Sequence, residues 1–207
     1  MKFLYLVTIL FAVITLSSCS KEEVSPQQLA SEFTNLEVGN YWVYEWYEIY
    51  PDGTESKYNV RDSVYISTDT LIDGRSFIVR RGTFLKNKRT EILLDSANSL
   101  YKFPSEVLLF TLDKTNETTI TIKAGENPIA TVKYILKSNS IVANVPAGEF
   151  ECLNYEGIVE SLDPDYQYGT RINSDLYAKN FGLVMKRCHL YNSPNNLEMR
   201  LVKFGKN

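Results

Sequence analysis

The sequence predicts a mainly β protein: a single antiparallel sheet curved into a half-barrel, or closed as a barrel or sandwich, with at most one or two short helices. Three observations carry this reading. Short runs rich in β-branched and aromatic residues recur about every ten residues, divided by turn residues. No segment keeps apolar residues at helical spacing over three turns, so parallel strands would lack crossover helices. Aromatics make up 13% of the chain, with 14 Tyr and 10 Phe against only 10 Gly and 7 Pro, a composition suited to packed strands.

At the N-terminus, Met1 and Lys2 precede an apolar run over residues 3–16. It falls short of the roughly 20 residues that a membrane-spanning helix takes, which marks it as the centre of a secretory signal. The run closes on Leu16-Ser17-Ser18-Cys19. That ending resembles the lipobox of bacterial lipoproteins, in which small residues precede a Cys that is lipidated before cleavage. The resemblance implies that residues 1–18 are a signal peptide and that Cys19 carries the lipid, with the membrane as a partner through this anchor. Residues 19–32 read as lipidated Cys and polar tether. Directly behind Cys19, Lys21-Glu22-Glu23 resembles the surface-export tag of some Gram-negative lipoproteins. This implies an outer-membrane, cell-surface location; without export the body would face the periplasm.

Residues 33–207 form one β-rich domain in this reading, with a helical turn at 29–33. The first strand spans 41–50 (YWVYEWYEIY) and ends at Pro51-Asp52-Gly53, where Asp and Gly tolerate positive φ in a tight turn. Both of its phases are apolar, which places it centrally or under cover on both faces. Further strands are expected at 57–67, 76–85, 90–94, 99–103, 107–112 and 117–123, then at 130–136, 140–145, 149–160, 170–178, 183–191 and 197–204.

Three segments belong together: Gly39-Asn40-Tyr41-Trp42-Val43-Tyr44, Val145-Pro146-Ala147-Gly148-Glu149-Phe150 with Cys152 after it, and Tyr177-Ala178-Lys179-Asn180-Phe181-Gly182-Leu183-Val184. The set resembles uncharacterised bacterial envelope lipoproteins whose VPAG-type and GLV-type turns precede adjacent late strands, proteins similar in outline to half-barrels of the lipoprotein-carrier type. Glu149 stands where Thr is usual, and Asn180-Phe181 where a Gly and a small apolar residue are usual. The resemblance brings no catalytic residues. Its glycines and proline have a plain use in shaping turns and bends.

Lys+Arg 22 against Asp+Glu 25 give a formal net charge of −3 without a basic stripe, which removes nucleic acid from the partners. One His and three Cys leave little material for metal or nucleophile sites. Cys152 and Cys188 fall on strands read as neighbours, so they form a candidate disulfide in an oxidising compartment; two buried reduced thiols are the alternative. His189 follows Cys188 directly, and successive residues of a strand face opposite ways, which separates thiol from imidazole. Asp163-Pro164-Asp165, with Glu160 before it and Tyr166 and Tyr168 after it, reads as a solvated turn, the alternatives being a calcium loop or a sugar platform; it lacks the Gly and terminal Glu of the known calcium loop. Asp62-Ser63-Val64, Asp69-Thr70-Leu71 and Asp95-Ser96-Ala97 resemble a short bacterial O-glycosylation pattern, and Asn116-Glu117-Thr118 fits the N-linked one.

The resulting expectation is a non-enzymatic binding module without cofactor or metal. Trp42, Tyr44 and Trp46 on one phase of the first strand are its candidate ligand-contacting aromatics, and the ligand is an apolar or amphipathic lipid, or else the partner is an envelope protein. The alternative is a surface glycan-binding or glycan-active protein with Trp42 and Trp46 as stacking platforms. A carrier turns these aromatics into a cavity, whereas a glycan reader exposes them in a flat row.

Overall fold

The computed structural model describes residues 29–206 apart from 97 and 116. The signal, Cys19 and the Lys21-Glu22-Glu23 tag lie outside these residues, as does Asn116. A short helix, α1 (Ala30–Thr34), is followed by twelve strands: β1 (Asn40–Ile49), β2 (Glu55–Ile72), β3 (Arg75–Phe84), β4 (Asn87–Ser96), β5 (Ser99–Phe103), β6 (Val107–Thr111), β7 (Thr118–Ala124), β8 (Asn127–Val145), β9 (Gly148–Ser161), β10 (Arg171–Ala178), β11 (Gly182–His189) and β12 (Asn196–Lys206). Ala30 and Phe33 are already buried in the core, so the folded body includes residues before 33 that the sequence reading gave to the tether.

All the strands belong to one antiparallel sheet in the order β6-β5-β4-β3-β2-β1-β12-β11-β10-β9-β8-β7, nearly closed into a barrel. Two meanders, β1–β6 and β7–β12, are joined where β1 pairs with β12, from Asn40 opposite Lys206 to Ile49 opposite Asn196. The free edges are β6 and β7. β1 is thus central, with β2 on its other side. Its outer face carries an ion network: Glu45 binds Lys57 at 2.8 Å and Arg61 at 2.5 Å, and Glu198 binds Arg187 and Arg200. The Arg200 guanidinium lies 4.3 Å from the centre of the Tyr47 ring.

Two strands expected at 130–136 and 140–145 are one. β8 runs without a turn, and Lys137-Ser138-Asn139 form an irregularity between Leu136, opposite Tyr155, and Ser140, opposite Leu153. Polar residues that look like a turn therefore serve as a bulge that bends a long strand.

The three quoted motifs converge at one end of the barrel. The Asn180 amide donates to Glu32 O at 2.6 Å, Asn35 Nδ2 to Asn180 O at 2.6 Å, and Trp42 Nε1 to Phe181 O at 2.5 Å. Gly182 has φ +84°, and a Cβ there would sit 3.2 Å from both Thr34 O and Trp42 Nε1. Phe150 packs edge-on against Phe181, Phe181 against Phe204, and Phe204 against Trp42, with ring centres 4.9, 5.7 and 5.8 Å apart. The Ala147 amide of the VPAG turn crosses to Leu201 O at 3.0 Å. Together with α1, which touches β4 and β5 on one wall and β10 and β11 on the other, these contacts close this end.

Candidate functional site

Trp42, Tyr44 and Trp46 all point into the barrel, 3%, 3% and 0% exposed. This excludes them as an exposed stacking row. Trp42 and Tyr44 line an interior cavity of about 230 Å³; Trp46 does not reach it. The Trp46 indole instead donates to Asp62 Oδ2 at 2.7 Å and packs edge-on against Phe84, ring centres 5.0 Å apart.

The cavity lies between two walls, each carrying an ion pair set by strand register. On one, Arg80 of β3 stands opposite Glu91 of β4, and Nε and Nη2 of Arg80 both donate to Glu91 Oε2, at 3.0 and 2.7 Å. Lys102 holds Oε1 at 3.3 Å. On the other, Asp175 of β10 stands opposite Lys186 of β11, whose ammonium donates to both carboxylate oxygens at 2.7 and 2.6 Å. Tyr44 and Tyr177 rise between the walls, and the Tyr44 hydroxyl donates to Leu183 O at 2.8 Å. Thr34 and Leu36, beside α1, form the inner end; Phe84 and the exposed Arg89 lie towards the opposite end of β3 and β4. There Arg89 sits 4.3 Å from the centre of the Phe84 ring.

Burial works against charge in this site, and the partners overcome it. For Lys186 desolvation alone would lower the pKa, but the adjoining Asp175 carboxylate outweighs it and holds the ammonium firmly protonated. Desolvation would raise Glu91; Arg80 and Lys102 bring it below its ordinary range. The phenols of Tyr44 and Tyr177 are pushed up by burial and stay neutral. Every carboxylate lining the cavity is therefore engaged by a cation, and the surrounding groups present donors.

A second, more open hollow of about 680 Å³ lies at the seam between the free edges, lined by Leu112, Thr115, Leu136, Ser138 and Leu153 among others. Its charged lining residues are Asp113, Lys114 and Lys137.

The remaining sequence candidates are scattered. Cys152 and Cys188 are free thiols. They are not on neighbouring strands: β10 lies between β9 and β11. Cys152 is level with Ala178 and hence with Gly182, six residues along β11 from Cys188. At about 3.3 Å per residue that is roughly 20 Å of offset, far beyond the ~7 Å that a disulfide bridges between Cα atoms. Burial pushes the Cys152 thiol up to about 11 and raises Cys188 as well, so neither is an activated nucleophile. His189 Nδ1 pairs with Asn173 Oδ1 at 3.1 Å, and burial lowers its pKa. At the other end of the barrel, Asp163 Oδ1 accepts from the Asp165 amide at 3.0 Å in a tight turn. Tyr166 stacks on Tyr191 and meets Tyr168 edge-on, so these rings cover one another's faces.

Sequence reasoning missed Arg80, Glu91, Asp175, Lys186 and Tyr177. The signal was present in the strand phase: Arg80 alternates with Ile78 and Gly82, and Glu91 with Leu93, so two opposite charges occupy the inward phase of one hairpin.

No protein-family model matches the sequence, and no curated protein matches it. Two solved structures share the fold. One, from Bacteroides fragilis, is described as exported with a YmcC-like fold; it is 14% identical, with a TM-score of 0.52, the match covering 84% of this chain and 99% of that one. Another, from Parabacteroides distasonis, is described as a lipoprotein; it is 16% identical, with a TM-score of 0.50, covering 86% of this chain and all of that one. At such identities the likeness defines a class of architecture, the nearly closed antiparallel barrel of the YmcC-like kind.

Proposed function

We propose that the protein is an envelope lipoprotein, anchored through Cys19 in the outer membrane, whose barrel binds a small ligand without transforming it. The observation that carries this reading is the interior cavity of about 230 Å³. Its lining combines apolar walls with charged groups whose carboxylates are all paired, which suits binding and orientation. A cavity below the roughly 300–1,000 Å³ of drug-sized sites suits a small molecule, and is too small for the acyl chains of another lipoprotein. Support for the envelope comes from the signal and Cys19, and from fold neighbours described as exported and as a lipoprotein. The Lys21-Glu22-Glu23 tag supports the cell surface. The glycan alternative draws less support, because the aromatics it needs are buried or stacked on each other.

The test is native mass spectrometry of the mature lipoprotein purified gently from its own envelope, before and after denaturation. Extra mass that disappears on denaturation is expected. A clean unliganded mass would overturn the reading and direct attention to protein or glycan partners.

A further inference from the structure

The binding reading leaves the ligand's chemistry open, and the inventory of hydrogen-bonding groups in the cavity narrows it. Consider the acceptors. Glu91 has one oxygen on Arg80 and the other on Lys102, and both oxygens of Asp175 are on Lys186. Leu183 O already receives the Tyr44 hydroxyl. The donors are in the opposite condition. The Arg80 guanidinium uses Nε and Nη2 on a single oxygen, leaving Nη1 without an acceptor among the described residues. Arg89 lines the cavity with only the Phe84 ring against its guanidinium and with no carboxylate. The Tyr177 hydroxyl makes no hydrogen bond, although the residue is buried. Thr34 is 4% exposed, lines the cavity, and its Oγ1 has no partner.

A buried hydroxyl without a partner costs about 1–3 kcal/mol, which applies here to Thr34 Oγ1; with the free donors of Arg80, Arg89 and Tyr177 on the same cavity, it marks a place where an acceptor belongs. The charge agrees. Arg80, Arg89, Lys186 and the nearby Lys102 face only Glu91 and Asp175, a local positive excess inside a chain of net charge −3. Beside Arg81 and Thr83, the lining has an apolar part: Leu36, Trp42, Val64, Leu100, Leu109 and Met199. Acceptor-bearing negative charge at one part of the ligand, and a short apolar body at another, satisfy both halves.

We propose that the cavity is a site for a small amphipathic anion, of which a medium-chain carboxylate is the simplest member. The proposal rests on the binding reading above and adds the ligand class. Arg89 and Arg80 Nη1 hold the anionic head, the apolar body lies along Leu36, Trp42, Val64 and Leu100, and a member of the class with a further acceptor on its body would also pair Tyr177 and Thr34. Charge-assisted bonds of this kind are about twice as strong as neutral ones, so charge and not chain length decides the choice of ligand.

The test uses the mature chain with Cys19→Ser, kept free of detergent, and three probes of one length: octanoate, octanol and octylammonium, followed by calorimetry and by Trp42 fluorescence. Octanoate is expected to bind about tenfold or more tighter than octanol, and octylammonium not to bind, as charge-assisted pairing requires. Arg89→Gln, at an exposed position, should weaken octanoate about tenfold while leaving octanol unchanged. Octanol binding as well as octanoate, octylammonium binding best, or none of the three binding would each overturn the anion assignment. Native mass spectrometry separates the two failures: a neutral or cationic adduct leaves the binding reading standing, whereas a clean mass removes it together with the anion.

Discussion

Asp62 is wholly buried, yet three donors converge on its carboxylate: Trp46 Nε1 at 2.7 Å and the Leu85 and Lys86 amides at 2.6 and 3.1 Å. Leu85 and Lys86 have φ of 50° and 68°, so this carboxylate holds a left-handed turn next to Phe84 of the cavity lining. Burial alone would raise its pKa; hydrogen bonds from Thr83, Trp46 and the two amides outweigh that and lower it. The sign of the linkage follows. Because the folded pKa lies below the unfolded value of about 3.9, this stabilisation is complete above that value and is lost as pH falls through the folded pKa. Asp62→Ala leaves buried donors unpaired and should cost about 2–4 kcal/mol at neutral pH, measured by urea unfolding. Asp62→Asn should flatten the acid limb of the stability profile; an unchanged limb would show that another carboxylate governs it. In the sequence Asp62 could be read only as part of an Asp-Ser-Val pattern, because its donors come from residues 16 to 24 positions away. The aromatic load of β1 was legible by contrast, since alternation alone puts Trp42, Tyr44 and Trp46 on one face.

At the scale of the element, α1 depends on contacts that cross the whole chain. Glu32 O and Thr34 O meet Asn180 and Gly182, nearly 150 residues downstream. Gly182→Ala would need a Cβ in the left-handed region and within 3.2 Å of Thr34 O and Trp42 Nε1, so it should destabilise by about 1–3 kcal/mol and loosen α1 first. Hydrogen exchange measures this: protection at residues 30–35 should fall more than in β1. Equal loss everywhere would mean that α1 and the sheet open as one unit. The β10–β11 pair offers a second case. Asp175→Asn leaves the half-buried Lys186 without its counter-charge and should cost about 1–3 kcal/mol, while the double replacement Asp175→Leu with Lys186→Met should cost much less. Most strands were legible because period-two patterning and turn residues are local signals. The join across 137–139 was not: a polar triplet has the same composition in a turn and in a bulge, and pairing with β9 decides between them.

The whole molecule is two meanders joined through its first and last strands, with free edges at β6 and β7, and local pattern does not contain that central pairing. Curvature of the sheet was readable, but the choice among half-barrel, sandwich and near-closed barrel rests on the register between residues 40–49 and 196–206. Between Cys19 and Leu29 there are ten residue steps, at most about 35 Å of extended chain. If Cys19 carries a lipid, that reach keeps Leu29 within about 35 Å of the bilayer. If the anchor alone binds the membrane, Cys19→Ser should move the protein into the soluble fraction, with the thermal melt of a folded barrel. Persistence in the membrane fraction would mean that the barrel itself, through its exposed apolar residues such as Val38 and Leu71 at the closed end, contacts lipid. Protease added to intact cells then tests the side: digestion of the anchored form places the body in the medium, and full protection places it in the periplasm, where any ligand would have to be found.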